Sequence, residues 1–485
     1  MNLFRIFFLS LFFLMIYSLQ SLAQQDSAIV WSIEECLRYA REHNIALKQA
    51  EVSYEIAGVN LRESQMSRLP SLNATVDYGG NFGRTIDPVT NAFETQSITS
   101  NRFSLSAGMP LYSGNRILSN IKRNQAELEA GKQNLKFTEI QQLNAVSEAY
   151  LNALLASDQL EALRKSRQIT QNQLDQTKKL IAAGVLPEND IFTIQAQLAR
   201  DEQAVVASNN SLEAAKLSLK ALLNLPGEYQ LEIERPDIDV PQDVDLEAFT
   251  FSRLYSNGVS AAPQILSSKA RVESARLGIP VARSGMLPSL SVFGSLFSNY
   301  SSRTQNASIS GIAFSQPQTV IINNEFAEVQ FPQSQFTFSD VPYTDQLRDN
   351  FGQQFGFRLN LPIFNQFSIQ SSVQRAKLGA LNAELSYQQS LQSLSNDIQQ
   401  TLAAARAAQA RYQVALLSLR AQQAAFDNAS KRFELGALNA IDYATSKMAL
   451  EQAQLESIQA KYNYLYQLKT LEWALSDFSE PVRFF

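Results

Sequence analysis

Two periods of apolar residues alternate along this chain. From Ser32 an amphipathic run passes through Leu37, Ala40, Ile45, Leu47, Val52, Ile56 and Leu61, which predicts one helix that Pro70 ends. Ser32 and Glu35 supply an S-x-x-E capping box at its start. From Ser71 the period becomes two. Leu72, Ala74, Val76 and Tyr78 alternate with Ser71, Asn73, Thr75 and Asp77, which predicts a strand over 71–79 with one apolar and one polar face. A polar loop is expected over 79–100. Phe103, Leu105, Ala107 and Met109 then alternate with Ser104, Ser106 and Gly108, a second strand over 102–110.

Past Pro110 the helical period returns and persists. Ile121, Leu128 and Leu135 are seven apart, and no proline stands between Pro110 and Pro187. A helix of about 65 residues, reaching residue 183, would span roughly 100 Å, a coiled-coil length. Gly184 breaks it, a return helix is expected over 187–224, and the Pro- and acid-rich stretch to residue 240 reads as a linker. The second half repeats the scheme. A helix from about Asp245 is expected to be interrupted at Pro263 and Pro280, followed by a strand over 289–300 and a long Ser-, Gln- and Asn-rich loop over 301–350. A strand over 353–362, a long helix to 435, a return helix over 440–476 and a tail complete it. Phe293 and Phe297 fall on the otherwise polar face of the third strand.

Short landmarks of the first half recur in the second at matching spacing. Leu69-Pro70-Ser71-Leu72 recurs as Leu287-Pro288-Ser289-Leu290, an offset of 218 (287 − 69). Met109-Pro110-Leu111-Tyr112 answers to Leu361-Pro362-Ile363-Phe364 at 252 (361 − 109), and Gly184-Val185-Leu186 to Gly436-Ala437-Leu438, again at 252 (436 − 184). The offset grows by 34 (252 − 218) between the first two pairs alone, so one loop tolerates insertion while the long helices keep their length. Two structural repeats of one architecture are expected, over 24–240 and 241–485.

Composition narrows the chemistry. Residues 1–23 read as a secretory signal peptide, with Arg5 as its charged region, an apolar run from Ile6 to Leu19, and Ser21-Leu22-Ala23 before the cleavage point. A net charge of −5 gives no case for nucleic-acid binding. His43 is the single histidine and is expected to be exposed; Cys36 is the single cysteine and is expected to be buried on a helix. Histidine-rich metal sites and an intrachain disulfide are thereby excluded. No nucleophile–base pair stands out, so neither an enzyme nor a cofactor or metal site is expected.

Strands of about ten residues with one apolar and one polar face match transmembrane β-strands. A bilayer tolerates no open sheet edge, and four strands cannot enclose a hollow barrel, so several chains must share one. Two chains would give eight strands and a filled interior; three would give twelve and a channel. The long helices are too polar for lipid and must project into water. A periplasmic coiled-coil structural or adaptor protein would account for those helices but not for the strands.

These landmarks, namely L-P-S-L ahead of the first strand of each half, Met-Pro or Leu-Pro ending the second, and G-x-L at each helical break, resemble the outer-membrane efflux protein (outer-membrane factor) family, whose members are TolC-like. The resemblance covers essentially the whole mature chain. It implies a mainly α fold with a transmembrane β part. In that fold a homotrimer shares a 12-stranded β-barrel and an α-helical periplasmic barrel. It further implies the exit duct of a tripartite efflux or type I secretion system in the cell outer membrane, in contact with outer-membrane lipid. A periplasmic adaptor (membrane fusion) protein would link it to an inner-membrane pump of RND, ABC or MFS type. Carried over residue by residue, Gly184, Leu186, Gly436 and Leu438 match adaptor-docking tips. Asp190 and Asp442, six residues beyond each glycine, match the periplasmic gate, where three carboxylates would ring the axis. A second gate aspartate of the family is Thr445 here, its gate tyrosine is Phe433, and an arginine is Leu438, so apolar contacts are expected to hold the closed state.

Overall fold

The computed structural model describes residues 30–86, 93–236, 238, 240–241, 244–322 and 325–475; the expected signal peptide and the tail beyond 476 lie outside them. In chain order come β1 (Val30–Trp31), α1 (Ile33–His43), α2 (Ile45–Met66), β2 (Ser71–Ile86), β3 (Phe93–Ser113), α3 (Arg116–Ala182) and α4 (Asp190–Leu222). There follow β4 (Glu232–Ile233), α5 (Phe251–Ala261), α6 (Pro263–Arg283), β5 (Ser289–Ser301), β6 (Gln305–Phe314), β7 (Gln318–Ile322), β8 (Glu325–Val329) and β9 (Pro332–Asp340). The last elements are α7 (Tyr343–Asp349), β10 (Gly352–Asn360), α8 (Ser368–Glu434) and α9 (Ala440–Leu475).

Corresponding elements of the two halves keep fixed offsets. α5 follows α1 by 218 residues (251 − 33), α6 follows α2 by 218 (263 − 45), and β5 follows β2 by 218 (289 − 71). α3 and α8 are each 67 residues long and lie 252 apart (368 − 116). Each 67-residue helix spans about 100 Å.

Several boundaries differ from the sequence pattern. The first helix is two helices, broken at Asn44, whose side chain accepts from Leu47 N–H at 3.2 Å and donates to the Leu222 carbonyl at 3.1 Å. The second half makes the same break with Pro263, which suits a first helical turn because its missing N–H has no partner there anyway. Pro280 does not interrupt α6, which continues to Arg283; one lost bond in a last turn is tolerated. The expected loop over 79–100 is largely strand. β2 and β3 pair from Ser71↔Gly108 out to Ile86↔Phe93, a ladder held by backbone bonds where Gly79, Gly80 and Gly83 interrupt the apolar alternation. The expected loop over 301–350 holds two nested hairpins, β6–β9 and β7–β8, and α7. In β6 a bulge between Ile309 and Gly311 keeps Ile309 and Ile312 on one face.

The described residues fall in two compact units, one within 30–59, 125–274 and 381–475, the other within 60–124 and 275–380; each draws on both halves of the chain. In the helical unit the core gathers Cys36, Tyr150, Leu219, Leu254, Ile398 and Leu468. Ser32 caps α1 as read from the sequence, with Glu35 N–H donating to its Oγ at 3.2 Å and its own N–H donating to Glu35 at 3.0 Å. The linker is tied in: β4 pairs in parallel with β1, and Tyr150 donates to the carbonyls of Trp31 and Glu234 at 3.2 and 2.9 Å. Arg235 meets Asp158 at 2.8 Å and Glu161 at 2.6 Å. Alanines such as Ala153 and Ala405, both wholly buried, let neighbouring helices approach closely.

In the other unit β10, β5, β3 and β2 form an antiparallel sheet in that order. Its register puts Val76, Phe103, Leu105, Leu296, Phe357 and Leu359 on one face, and Thr75, Asp77, Ser104, Ser106, Ser295 and Arg358 on the other. The two phenylalanines on the polar face have a local reason. Phe293 stands opposite both Gly356 and Gly108, and Phe297 opposite Gly352. A side chain on Gly356 would begin 3.0 Å from the Phe293 ring, so the missing Cβ lets the ring lie along the sheet, with the Arg358 guanidinium 5.0 Å from its centroid. Among the described residues the outer edges of β2 and β10 carry no strand partner.

Candidate functional site

The two long helices end alike. Gly184 at φ +76° and Gly436 at φ +71° adopt the left-handed conformation that glycine enters without a Cβ penalty. At the first, Gly184 N–H donates to the Ile181 carbonyl and Val185 N–H to the Leu180 carbonyl, both at 2.9 Å. At the second, Gly436 N–H donates to Phe433 at 2.9 Å and Ala437 N–H to Arg432 at 2.8 Å. This is the Schellman closure, which satisfies carbonyls a helix end otherwise leaves unpaired. The tips meet: a Cβ on Gly436 would lie 3.3 Å from Val185 Cγ1.

Leu186 is buried and Leu438 half-buried, and both pack into one apolar cluster with Phe433, Ile194 and Tyr443. The side chains that face outward at the tips are Val185 and Leu435, 52% and 81% exposed. Phe433 is wholly buried, its ring 4.9 Å from that of Tyr443, with Phe426 at 5.6 Å on the same tyrosine. Burial pushes the Tyr443 phenol up to about 12, and the charges of Glu434 and Asp201 add to it. Asp190 opens α4 and is half-buried. Asp442 lies exposed in the first turn of α9, where its N–H donates to Asn439 Oδ1 at 2.8 Å and its carboxylate accepts from Asn439 Nδ2 at 2.9 Å. Thr445 is exposed and donates to the Ile441 carbonyl at 2.9 Å.

Beside this cluster lies a charged site that the sequence reading passed over. Asp201 on α4 and Lys447 on α9 are 2% and 3% exposed, and Lys447 Nζ stands 2.5 Å from Asp201 Oδ2. Thr170 of α3 donates to the same oxygen, and Gln197 Nε2 donates to Asp201 Oδ1 at 2.7 Å. Lys447 lies 3.6 Å from Glu451, one turn on, and Glu451 accepts from Ser166 of α3 at 2.5 Å. A signal existed. Asp201 is seven residues after Ile194, and Lys447 is four after Tyr443 and three before Leu450, so both charges occupy apolar stripes.

His43 is exposed and stacks on Tyr39 at 4.0 Å, and Cys36 is wholly buried, its thiol pushed up to about 12 by burial and the nearby Glu35. Among the described residues no helix is long and apolar enough to cross a membrane.

Known proteins share this arrangement. A family model described as outer membrane efflux protein matches residues 36–225 and 254–476, more than half of the chain. Outer membrane protein TolC of Vibrio cholerae is 22% identical over 472 residues, 94% of this chain and 93% of that protein. TolC of Salmonella enteritidis is 22% identical over 252 residues, and there the chain spans about half of the relative, 51%. Among solved structures, the CmeC outer membrane channel of Campylobacter jejuni matches with a TM-score of 0.69 at 18% identity, covering 92% of this chain and 85% of its own. The outer membrane protein VceC of Vibrio cholerae matches with a TM-score of 0.71 at 14% identity, covering 93% and 97%. With two long helices ending in matched glycine turns and a two-faced sheet drawn from both halves, the chain belongs to the outer membrane efflux protein family, channels of the Gram-negative outer membrane and not enzymes.

Proposed function

We propose that three copies of this chain form the exit duct of a tripartite efflux or type I secretion assembly. One observation carries the reading: a four-stranded sheet with one apolar face has, among the described residues, no strand partner at either outer edge. Lipid demands that those edges be paired, and three copies supply twelve strands, enough to leave a lumen. The polar face, with Asp77, Arg358 and the serines of β3, then lines water. The helices α3, α4, α8 and α9 of the three copies make the periplasmic tube.

The glycine tips dock a periplasmic adaptor, which couples the duct to an inner-membrane pump of RND, ABC or MFS type. Gly184 and Gly436 set the turns, and the exposed Val185 and Leu435 offer the apolar contact, with Leu186 and Leu438 supporting them from within. Asp190 and Asp442 are the carboxylates of the periplasmic entrance, and Phe433 with Thr445 takes the place of the polar gate contacts of the family. The sheet speaks against a periplasmic structural or adaptor coiled coil, which has no use for an apolar sheet face.

Planar lipid bilayers test the assignment. The purified chain should run as a detergent-resistant trimer and conduct ions with a preference for cations, and Asp442→Ala should weaken that preference. A chain that is monomeric and stable in water without detergent overturns the duct. A pore of unchanged selectivity in Asp442→Ala removes that residue from the entrance.

A further inference from the structure

We infer that the band of cations where the sheet meets the helices binds the headgroups of anionic phospholipids in the leaflet facing the periplasm, and that a cavity between α2 and α3 seats one headgroup phosphate. The inference rests on the duct reading above and names the lipid that one level of the duct selects.

Four short stretches each adjoin a strand of the sheet on its helical side. Residues 60–70 carry Arg62 and Arg68 against Glu63, and 114–124 carry Arg116, Lys122 and Arg123. Residues 275–288 carry Arg276 and Arg283, and 361–380 carry Arg375 and Lys377. The balance is nine cations to one carboxylate, a net +8 (9 − 1) on a chain whose net charge is −5. Beyond the other end of the sheet the sign reverses: 301–350 holds two cations and five carboxylates. Large apolar side chains are exposed among the cations, Met66, Leu69 and Leu111 together with Ile363 at 97% and Phe364 at 84%. Cations interleaved with bare apolar groups suit a headgroup layer, where the apolar groups enter the acyl boundary and the charges meet phosphates. Water or a polar lumen would satisfy the charges alone.

The cavity, of about 480 Å³, is lined by residues of one compact unit. Arg116 and Arg123 of α3 border it, with Asn120 between them and Ile117, Pro110 and Val281 as its apolar wall. Arg123 is half-buried, and neither arginine has a carboxylate within ion-pair distance among the described residues. The hydroxyls at its edge are already engaged: Ser64 donates to the Leu61 carbonyl and Ser67 to the Ser64 carbonyl, both at 2.7 Å. Asn124 donates to the Asn60 carbonyl at 3.1 Å. Two guanidinium forks and the Asn120 amide remain, donors that match the unesterified oxygens of a phosphodiester. Glu63 lines the same cavity and opposes an anion there, so its charge is a handle on the affinity.

The test is native mass spectrometry of the full chain, purified as its detergent-resistant trimer, with added dioleoylphosphatidylglycerol and with dioleoylphosphatidylcholine as the zwitterionic control; helical circular dichroism checks folding. The anionic lipid should bind more tightly than the zwitterionic one. Arg116→Gln and Arg123→Gln should each weaken it about fivefold, the worth of one cation beside an anionic surface. Arg303→Gln, beyond the other end of the sheet, should leave it unchanged. Glu63→Gln should tighten it several-fold, a gain that misfolding does not produce. Folded arginine variants that bind phosphatidylglycerol like the unaltered chain, or equal binding of the two lipids, overturn the site and leave the duct standing. If the arginine variants fail to fold, Glu63→Gln decides, and an unchanged affinity there overturns the site. Displacement of the lipid by millimolar inorganic phosphate gives the cavity to a free anion and overturns the lipid. An unaltered chain that is monomeric and stable in water overturns the duct, and the headgroup layer with it.

Discussion

Tyr443 shows what burial does to a single side chain. Its phenol sits between Phe426 and Phe433, 2% exposed, and is pushed from 10.0 up to about 12. A raised value in the folded chain means that the stabilisation is complete below pH 10, where the unfolded phenol is also neutral, and is lost as pH rises from 10 through about 12. That rise is worth roughly 2–3 kcal/mol. Thermal unfolding followed from pH 9 to 12 should therefore show the unaltered chain losing more stability than Tyr443→Phe; equal slopes would contradict the burial of this group. At the same scale, some of the chemistry was legible and some was not. The Ser32–Glu35 box could be read because its bonds span three residues. Lys447 could be read as a charge on an apolar stripe. Its partner could not, because Asp201 is 246 residues away (447 − 201) and nothing local links them.

At the scale of elements, the turns at the helix ends carry a comparison between positions that look alike in sequence. Both glycines have positive φ, so alanine at either costs about 1–2 kcal/mol of backbone strain. Gly184 has open space where a Cβ would go, whereas at Gly436 the Cβ would crowd Val185. Gly436→Ala should therefore lower the stability of the tip more than Gly184→Ala, read as faster amide hydrogen exchange over residues 430–445. Equal effects would mean that the two tips do not press on each other. The helices themselves were largely legible, because a 3.6-residue period, a capping residue and a breaking glycine act locally. The hairpins over 79–100 and 301–350 were less so. Their stretches are rich in Gly, Ser, Gln and Asn, and their backbone bonds come from a facing strand that no local pattern specifies. The break at Asn44 has no local signal for a related reason: its side chain bonds Leu222, far along the chain, and that contact stabilises the break.

At the scale of the whole molecule, the sheet makes a claim about its surroundings. Phe357 and Asn360 lie three residues apart on β10 but on opposite faces, one with the apolar set and one with the polar set. Arginine on a lipid-facing strand position costs about 2–4 kcal/mol near mid-membrane, whereas a lumen position accepts it. Phe357→Arg should reduce the detergent-resistant oligomer in outer-membrane fractions sharply, and Asn360→Arg should leave it near the level of the unaltered chain. The reverse result would mean that the apolar face does not meet lipid.

By itself the sequence determined what local physics can determine. It set the two equal long helices, the glycine turns, the capped start of α1 and the two-faced strands, because periodicity, capping and backbone conformation are satisfied within a few residues. The tertiary structure decided which distant residues meet. It set Lys447 against Asp201, gave Phe293 and Phe297 glycines to lie over, folded the inserted stretch into nested hairpins, and left the edges of β2 and β10 without a strand partner among the described residues. Those outcomes depend on long-range packing and on where desolvated polar groups find partners, and both are properties of the assembled chain.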